Sequence, residues 1–301
     1  MKIAIAGGTG LIGKALARYL DKSGHEVFIL TRLKPSRASA DGPKYISWLH
    51  NDDSPADELK NIEAFVNLAG ATINSRWTAK GKEKIINSRL EAVAELTKII
   101  EELPVKPKVV INASAVGFYG TSEEQLFTER SIDAGSDFLA DTVVKWESSL
   151  KRIEEMGVRT AYCRFGVVLD SNAGALPRMV LPYRFFIGGT IGSGRQWLSW
   201  IHIDDVVRAI LFVIEQSDLR GPINFTAPSP VTMKEFGKTL AAVVNRPHWL
   251  PLPGFALKII LGEMSLLVLE GQKVLPESLL NHDFTFQYPE LLPALKSIFN
   301  Q

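Results

Sequence analysis

The feature that most constrains this chain is a run of glycines directly after a short apolar segment near its N-terminus. Residues 2–6 predict a buried parallel strand, and the spacing of apolar residues over 11–22 predicts a helix. Between them, G-x-G-x-x-G and G-x-x-G-x-x-G patterns overlap. Glycines there permit a tight turn, and the helix start can then offer N–H groups to a pyrophosphate. We predict dinucleotide contacts from Gly7, Thr9, Gly10, Leu11, Ile12 and Gly13.

The rest of the first half alternates between strand and helix patterns. Strands are predicted at 26–30, 63–68, 109–111 and 158–165, and helices at 79–102 and 138–156. This alternation predicts an α/β fold, a Rossmann-type doubly wound parallel sheet, over residues 1–170. Residues 171–301 predict a smaller C-terminal substrate domain, with 195–225 returning to the first domain. Helices are predicted there at 203–216 and 232–245.

The end of the second strand indicates which dinucleotide is preferred. A site for NAD usually has an acidic residue about 20 residues after the glycines, where it binds the ribose 2′-hydroxyl. This chain has Thr31 and Arg32 instead. An arginine fork can bind a 2′-phosphate, so the pattern favours NADP (NADPH). The alternative is a surface arginine at a strand end.

Composition excludes several other classes of function. The 301 residues include 34 Lys and Arg against 33 Asp and Glu, so the chain lacks the overall positive charge that is typical of nucleic-acid-binding proteins. Cys163 is the one cysteine, and the histidines are scattered, so no metal site is predicted. No apolar run reaches the roughly 18 residues of a membrane span, and the N-terminus does not read as a signal peptide. We expect a cytoplasmic protein without membrane or nucleic-acid partners.

Several segments together carry a family resemblance. They are the glycine turn, residues 67–71 (Asn-Leu-Ala-Gly-Ala), 113–120 (Ala-Ser-Ala-Val-Gly-Phe-Tyr-Gly), Asn87-Ser88-Arg89 and 192–205. The chain resembles the extended short-chain dehydrogenases/reductases, which include nucleotide-sugar epimerases. It looks most like an atypical subgroup labelled "epimerase family protein", which ends in a domain of unknown function; some relatives are labelled cell-division inhibitors. The resemblance implies further cofactor contacts from Leu68, Ala69 and Gly70.

The catalytic pair of that superfamily is missing. Its chemistry uses Tyr-x-x-x-Lys on the helix after the serine-bearing strand, and none of the six tyrosines here has lysine four residues on. The positions that align are Leu139 and Val143. Ser114 matches the strand-end serine, although its register against Ala115 stays open. Tyr119 is the substitute acid we predict, with core or cofactor packing as its alternative.

Two further segments suggest where a substrate binds. Residues 76–89 carry five basic residues and one acidic residue, so their net charge of +4 would favour an anionic small molecule; the alternative is a solvated helix face. The resemblance places Arg195, Trp197 and Trp200 beside the substrate, with packing between domains as the alternative. The apolar segment 255–270 predicts core or a dimer face, so a homodimer is one expected assembly.

Two functions follow from these observations. The first is an NADP-dependent oxidoreductase or epimerase-like enzyme in which Ser114 binds a carbonyl oxygen and Tyr119 or water supplies the proton. The second is a non-catalytic NADP-binding sensor or scaffold, linked to cell division by the label of some relatives. The missing tyrosine–lysine pair motivates the second function, and the motif-rich cleft favours the first.

Overall fold

The computed structural model describes residues 1–33, 42–50 and 52–299. The strands in these ranges are β1 (Lys2–Ala6), β2 (Glu26–Thr31), β3 (Lys44–Ser47), β4 (Ala64–Asn67), β5 (Val109–Ala115), β6 (Leu126–Phe127), β7 (Arg159–Phe165), β8 (Val167–Leu169), β9 (Trp197–Leu198), β10 (Trp200–His202), β11 (Gly221–Phe225), β12 (Val231–Thr232) and β13 (Lys273–Val274). The α-helices are α1 (Leu11–Lys22), α2 (Pro55–Glu58), α3 (Ala79–Glu102), α4 (Phe138–Ser148), α5 (Lys151–Glu155), α6 (Leu176–Arg184), α7 (Ile203–Glu215), α8 (Met233–Val243), α9 (Gly254–Leu261), α10 (Leu266–Leu269), α11 (Glu277–Asn281) and α12 (Leu291–Phe299).

Seven parallel strands form the central sheet in the order β11-β7-β5-β4-β1-β2-β3. The predicted Rossmann-type fold is therefore confirmed. The order reverses direction at β1, between β4 and β2, and in sheets of this kind ligands bind outside the carboxyl ends of the strands at that point. β11 joins the edge of the sheet beside β7, so residues 221–225 belong to it.

Apolar cores cover both faces of the sheet, which explains the continuous apolar runs in its strands. On one face, α1 buries Leu16, Ala17 and Leu20 and contacts α7. On the other face, α3 buries one stripe of apolar residues from Ile85 to Ile100. The spacing of these residues at three to four positions is what predicted both helices from the sequence.

The helix predicted over 138–156 is two helices in the structure. α4 ends at Ser148, and α5 begins at Lys151. The Ser149 hydroxyl donates to the carbonyl of Trp146 at 2.6 Å, and the Ser149 N–H is shared between the carbonyls of Lys145 and Trp146. Serine competes in this way with regular helical bonds, so the break has a local cause.

A third core lies among α6, α8 and α12, with Trp200 of β10 fully buried inside it. α8 begins with a capping box, in which Thr232 and Glu235 each accept from the other's backbone N–H. His202 ends β10 and caps α7 by accepting from the Asp204 N–H.

The C-terminal segment returns to the central sheet. β13 pairs with β6, and Phe284 and Phe286 join the core beneath α7. The buried Glu129 carboxylate accepts three backbone N–H bonds, from Asn224 at 2.9 Å, Glu277 at 3.1 Å and Ser278 at 3.2 Å. It therefore fastens β11 and the start of α11 to the loop after β6.

Two features are absent from the described ranges, namely a helix that could span a membrane and a cluster of metal ligands. No helix there combines the length and the apolar composition that crossing a bilayer requires. Likewise, no three His, Cys, Asp or Glu side chains in those ranges are grouped so that they could hold a metal ion.

Candidate functional site

In the glycine turn after β1, neighbouring backbone lies so close to Gly7 and Gly13 that neither position has room for a Cβ atom. A Cβ on Gly7 would lie 2.7 Å from the carbonyl carbon of Leu68, and Gly7 has a φ of +76°. A Cβ on Gly13 would lie 2.3 Å from the carbonyl oxygen of Gly7 and 2.6 Å from the Cα of Gly8. The turn is therefore held close against both β4 and its own helix.

The helix start behind this turn lacks a partner of its own. α1 has Gly10 as its N-cap, with no side-chain cap and no acidic residue in the first turn. Thr9 and Gly10 are exposed, whereas Leu11 and Ile12 are half-buried. Because the first N–H groups of a helix need acceptors and attract negative charge, this cradle fits the pyrophosphate of a dinucleotide.

Three side chains fix the turn after β4, beside the glycine turn. Asn67 accepts from the Ala69 N–H at 3.2 Å and donates to Asn112 at 2.7 Å in the neighbouring strand. Ser88 accepts from the Ala71 N–H at 2.9 Å, and Arg89 donates to the Ala71 carbonyl at 3.1 Å. The predicted contacts at 68–70 therefore form a braced wall against the glycine turn.

Arg89 is the least expected member of this wall. Its guanidinium packs against Gly70 and lies 4.8 Å from the ring centroid of Trp146. It also donates to the carbonyl of Ile85 at 2.8 Å. Burial lowers the pKa of Arg89 to about 10.

The residues predicted to choose the cofactor lie at the end of β2, next to β1. Thr31 is buried, and its hydroxyl donates to the Leu33 carbonyl at 3.0 Å. Arg32 has an exposed side chain, and its carbonyl oxygen lies 3.0 Å from His50 Nε2. The backbone turn is thus fixed from two sides, while the guanidinium is left in solvent beside the dinucleotide cradle.

Ser114 points into the protein rather than toward the strand ends. Its hydroxyl donates to Glu147 Oε1 at 2.6 Å. Glu147 in turn holds Arg164 by two bonds, from Nε at 2.9 Å and Nη2 at 2.8 Å. Both Ser114 and Arg164 are nearly inaccessible. This position does not favour Ser114 as a group that binds a carbonyl oxygen; its neighbour Ala115, half-buried, ends the strand.

Tyr119 is also tied into the interior. It is 4% exposed, and its hydroxyl donates to Asn224 Oδ1 at 2.8 Å. Burial raises the pKa of Tyr119, and the nearby Arg164 guanidinium only partly opposes the rise. A phenol that is buried and whose proton is already donated is poorly placed as a general acid, so the packing alternative is the one this geometry favours.

The helix face where the superfamily has its tyrosine and lysine is apolar here. Leu139 and Val143 are four residues apart on α4, and Val143 is buried. A Cβ on Gly117 would touch Leu139 at 3.4 Å, so this face packs on the turn after β5. Neither side chain can donate or accept a proton. Lys145, two residues further on, pairs with Asp141 at the surface.

A cavity of about 380 Å³ opens beside this helix. It lies between the starts of α3 and α4 and the segment that holds α9 and α10. Trp77 and Phe138 meet edge to face at 5.3 Å, and Lys82 lies 5.1 Å from the Phe138 ring centroid. Lys82 also pairs with Glu263 from the other wall. The lining residues are Trp77, Lys82, Asp137, Phe138, Lys258, Glu263, Ser265, Leu266, Leu269 and Glu270.

The three residues predicted to touch substrate are divided. Arg195 and Trp197 both bind the loop before β6, because Arg195 Nε donates to the Glu123 carboxylate at 3.0 Å and Trp197 Nε1 to the Glu123 carbonyl at 2.8 Å. Trp200 is fully buried, and its Nε1 donates to the Ser229 carbonyl at 3.0 Å. The structure therefore places Trp200 in the core, as its packing alternative expects, and none of the three lines the cavity.

The basic segment 76–89 is divided in the same way. Arg89 is half-buried under the turn after β4, and Lys82 is paired at the cavity wall. Arg76, Lys80 and Lys84 are exposed. One cation of the five therefore faces the cavity.

Sequence reasoning missed Glu147, Arg164 and the cavity wall at Lys258. Arg164 is the one charged residue in the largely apolar segment 160–169, which is a sequence signal of a buried and paired charge, whereas Glu147 lies among polar residues and carries no such signal. No such signal marks Lys258, since only the chain's return brings α9 opposite α3.

Known proteins resemble the whole chain. Residues 3–140 and 184–225 match the model of the NAD dependent epimerase/dehydratase family, and residues 252–298 match a domain of unknown function, DUF1731. The epimerase family protein YfhF of Bacillus subtilis is 48% identical over 298 residues, covering 99% of this chain and 98% of its own.

Solved structures agree. The structure of human epimerase family protein SDR39U1 (isoform 2) with NADPH has a TM-score of 0.88 and 35% identity, covering 100% of this chain and 99% of its own. A nucleoside-diphosphate sugar epimerase from Corynebacterium glutamicum has a TM-score of 0.76 and 31% identity, covering 98% of this chain and 57% of its own. The chain is a member of the NAD dependent epimerase/dehydratase family, of the subgroup that carries the DUF1731 segment at its C-terminal end.

Proposed function

We propose that this protein is an NADP-dependent oxidoreductase or nucleotide-sugar-epimerase-like enzyme that acts on a small molecule. The observation that carries the proposal is the cradle of Gly7, Gly13 and the uncapped start of α1, closed by the turn at Leu68. A dinucleotide whose pyrophosphate is bound in this cradle would supply hydride transfer through its nicotinamide. The NADPH named for the human relative supports NADP over NAD, and so does Arg32, whose exposed guanidinium could bind a 2′-phosphate.

The residues of this chain would bind and orient rather than transfer protons. Gly7, Gly10 and the first N–H groups of α1 would hold the pyrophosphate. The turn at Leu68–Gly70, braced by Arg89, would fix the other side of the cofactor. We place the substrate in the cavity beside Phe138, whose lining carries the cations of Lys82 and Lys258 and the carboxylates of Asp137, Glu263 and Glu270. Because the hydroxyls of Ser114 and Tyr119 are committed to internal acceptors, we propose water as the proton source.

A calorimetric titration with NADPH and NADH tests the cofactor part. We expect NADPH to bind at least about tenfold more tightly, since one lost charge-assisted contact costs about 1.5–3 kcal/mol. Arg32→Ala should remove the preference and leave NADH binding unchanged, whereas Arg18→Ala, an exposed arginine on α1, should change neither. Equal affinities in the unaltered protein would reject Arg32 as the selector, and no binding at all would reject the dinucleotide site.

A second function is favoured by one observation, the apolar pair Leu139 and Val143. A site in which the positions of the superfamily's tyrosine and lysine are apolar suits a non-catalytic NADP-binding sensor or scaffold. NADPH oxidation measured over a panel of carbonyl compounds and nucleotide sugars separates the two. Turnover of any compound that depends on Lys258 or Phe138 supports the enzyme. Tight NADPH binding without turnover, together with a protein partner whose affinity changes with NADPH, supports the sensor.

A further inference from the structure

Large apolar side chains crowd two short stretches of the surface. Residues 181–187 and 249–260, which we call the basic apolar face, hold many of the exposed large apolar residues of the described chain. Phe255 is 70% exposed, Ile259 79% and Ile260 68%. The others include Phe185, Phe186 and Trp249. Contiguous exposed patches of this kind mark interaction sites more often than scattered single residues do.

The two stretches form one surface. Trp249 donates from its backbone N–H to the Gly188 carbonyl at 3.0 Å and from Nε1 to the Phe186 carbonyl at 2.9 Å. Leu252 donates to the Thr190 carbonyl at 2.8 Å. Apart from the bond from Trp249 Nε1, these bonds join backbone groups, and the apolar side chains of Phe185, Phe186 and Trp249 remain exposed.

The charge of these stretches has one sign. No acidic residue occurs in residues 171–203 or 236–262, although the chain has 33 in all, and the next residue, Glu263, is exposed and paired with Lys82. The basic residues in these two ranges are Arg178, Arg184, Arg195, Lys238, Arg246 and Lys258. Arg184 and Lys258 are exposed, and the Arg246 guanidinium lies 4.8 Å from the ring centroid of Phe186. The partner that complements this face is therefore apolar at its centre and anionic around it.

A second copy of the chain is a poor match for that description. A two-fold contact through this face would bring Arg184, Arg246 and Lys258 near their own symmetry mates, and such like-charge contacts disfavour association. The surface of an anionic bilayer offers both an anionic and an apolar environment. Its headgroups carry negative charge, and its acyl boundary accepts inserted aromatic and aliphatic side chains. α9 has eight residues, about 12 Å of helix, which suits lying in the interface.

We propose that the basic apolar face docks this protein on the surface of anionic lipid bilayers. Phe255, Ile259 and Ile260 would insert, and Arg184, Arg246 and Lys258 would contact phosphate headgroups. The cavity that Lys258 also lines would then open near the membrane. This proposal does not depend on the proposed enzymatic function, and it departs from the expectation of no membrane partner, which rested on the lack of a spanning apolar run.

The full chain is tested by co-sedimentation with vesicles of phosphatidylcholine that contain about one third phosphatidylglycerol, against vesicles of phosphatidylcholine alone. We expect at least about tenfold stronger partitioning onto the anionic vesicles, and its loss at high salt. Trp fluorescence should shift to shorter wavelength on binding, since Trp249 enters a less polar environment. Millimolar glycerol phosphate should not release the protein, which separates a bilayer from a headgroup pocket.

The test variant carries both Ile259→Ser and Ile260→Ser. The matched control is Ile132→Ser, because Ile132 lies outside this face and its side chain is 83% exposed. The double variant should lose about tenfold or more in partitioning, whereas Ile132→Ser should bind as the unaltered protein does. All should keep the same unfolding temperature, because the changed side chains are exposed. Equal binding to both vesicle types, or full binding by the double variant, would overturn the proposal. The proposal would also be overturned if the unaltered protein did not bind vesicles but formed a dimer in sedimentation velocity, and if the double variant abolished that dimer.

Discussion

The hydroxyl of Ser114 donates a hydrogen bond of 2.6 Å to the same Glu147 oxygen that Arg164 Nε contacts. The serine that the family resemblance offered as a catalytic group is thus hydrogen-bonded to the buried ion pair that Glu147 of α4 forms with Arg164 of β7. A residue that holds a charge inside the protein is expected to matter for stability more than for turnover.

Ser114→Ala is therefore expected to lower the free energy of unfolding by about 1.5–3 kcal/mol, the usual range for losing a bond to a charged group. Tyr119→Phe should cost a similar amount, because it leaves Asn224 Oδ1 without its donor. Urea denaturation measures both, and NADPH affinity should change less than about twofold at this small loss of stability. A large fall in turnover at unchanged stability would contradict this prediction and restore the catalytic role.

Breaking the Glu147–Arg164 pair should cost far more. Arg164 and Glu147 have side chains 4% and 11% exposed, so Glu147→Gln leaves a buried cation uncompensated, at about 3–5 kcal/mol. The control lies on the same helix: Lys145→Met breaks an exposed pair with Asp141 and should change stability by less than about 1 kcal/mol. Similar losses in the two variants, measured by urea denaturation, would mean that the inner pair is not buried.

Gly13→Ala should remove dinucleotide binding. The new Cβ would meet the Gly7 carbonyl at 2.3 Å, so the turn that forms the cradle must shift. Lys14→Ala changes the next residue, which is exposed, and should leave binding intact. Calorimetry with NADPH measures the effect, and circular dichroism shows whether the fold survives. Unchanged affinity in a folded Gly13→Ala protein would place the cofactor elsewhere.

His202 should make stability fall as the pH is lowered below neutral. Burial lowers its pKa below 6.5, and the carboxylates of Asp204, Asp205 and Asp170 only partly oppose this. The folded protein thus binds fewer protons at this site than the unfolded chain. The stabilisation is complete above pH 6.5 and is lost as the pH falls toward the folded pKa, at no more than about 1.4 kcal/mol per pH unit.

The reason is the cap of α7. His202 Nδ1 accepts the Asp204 N–H at 3.1 Å, which a protonated ring cannot do. Urea denaturation from pH 8 to pH 5.5 measures the slope. His202→Asn keeps an acceptor that does not titrate, so its slope should be shallower. Identical slopes would assign the pH dependence to other groups, among them His25 and His248, whose pKa values burial also lowers.

Much of the fold followed from sequence patterns because those patterns have local causes. The glycine turn, the stripe along α3 and the capping box at Thr232 each depend on residues within one or two turns of chain. The break at Ser149 was not predicted because the apolar spacing continues past it. The hydrogen bond from the Ser149 hydroxyl to the Trp146 carbonyl, which ends the helix, leaves no trace in that spacing.

The candidate site was predictable in part for the same reason. The dinucleotide cradle is one contiguous segment, so its residues could be named from the sequence. The direction of Ser114 depends on Glu147 and Arg164, which are far along the chain. Trp200 was placed beside a substrate by resemblance, yet the third core covers it. Such contacts depend on tertiary packing, which spacing alone does not encode.

The carboxylate of Glu129 has a consequence for how the chain could be divided. It accepts N–H bonds from β11 and from the start of α11, and the latter belongs to the C-terminal segment that matches a separate family model. A truncation before residue 252 would leave that buried carboxylate with one donor of three and would strip Phe284 and Phe286 from the core under α7. The segment that matches its own family model is therefore not a separate folding unit, and we expect residues 1–299 to unfold as one cooperative body.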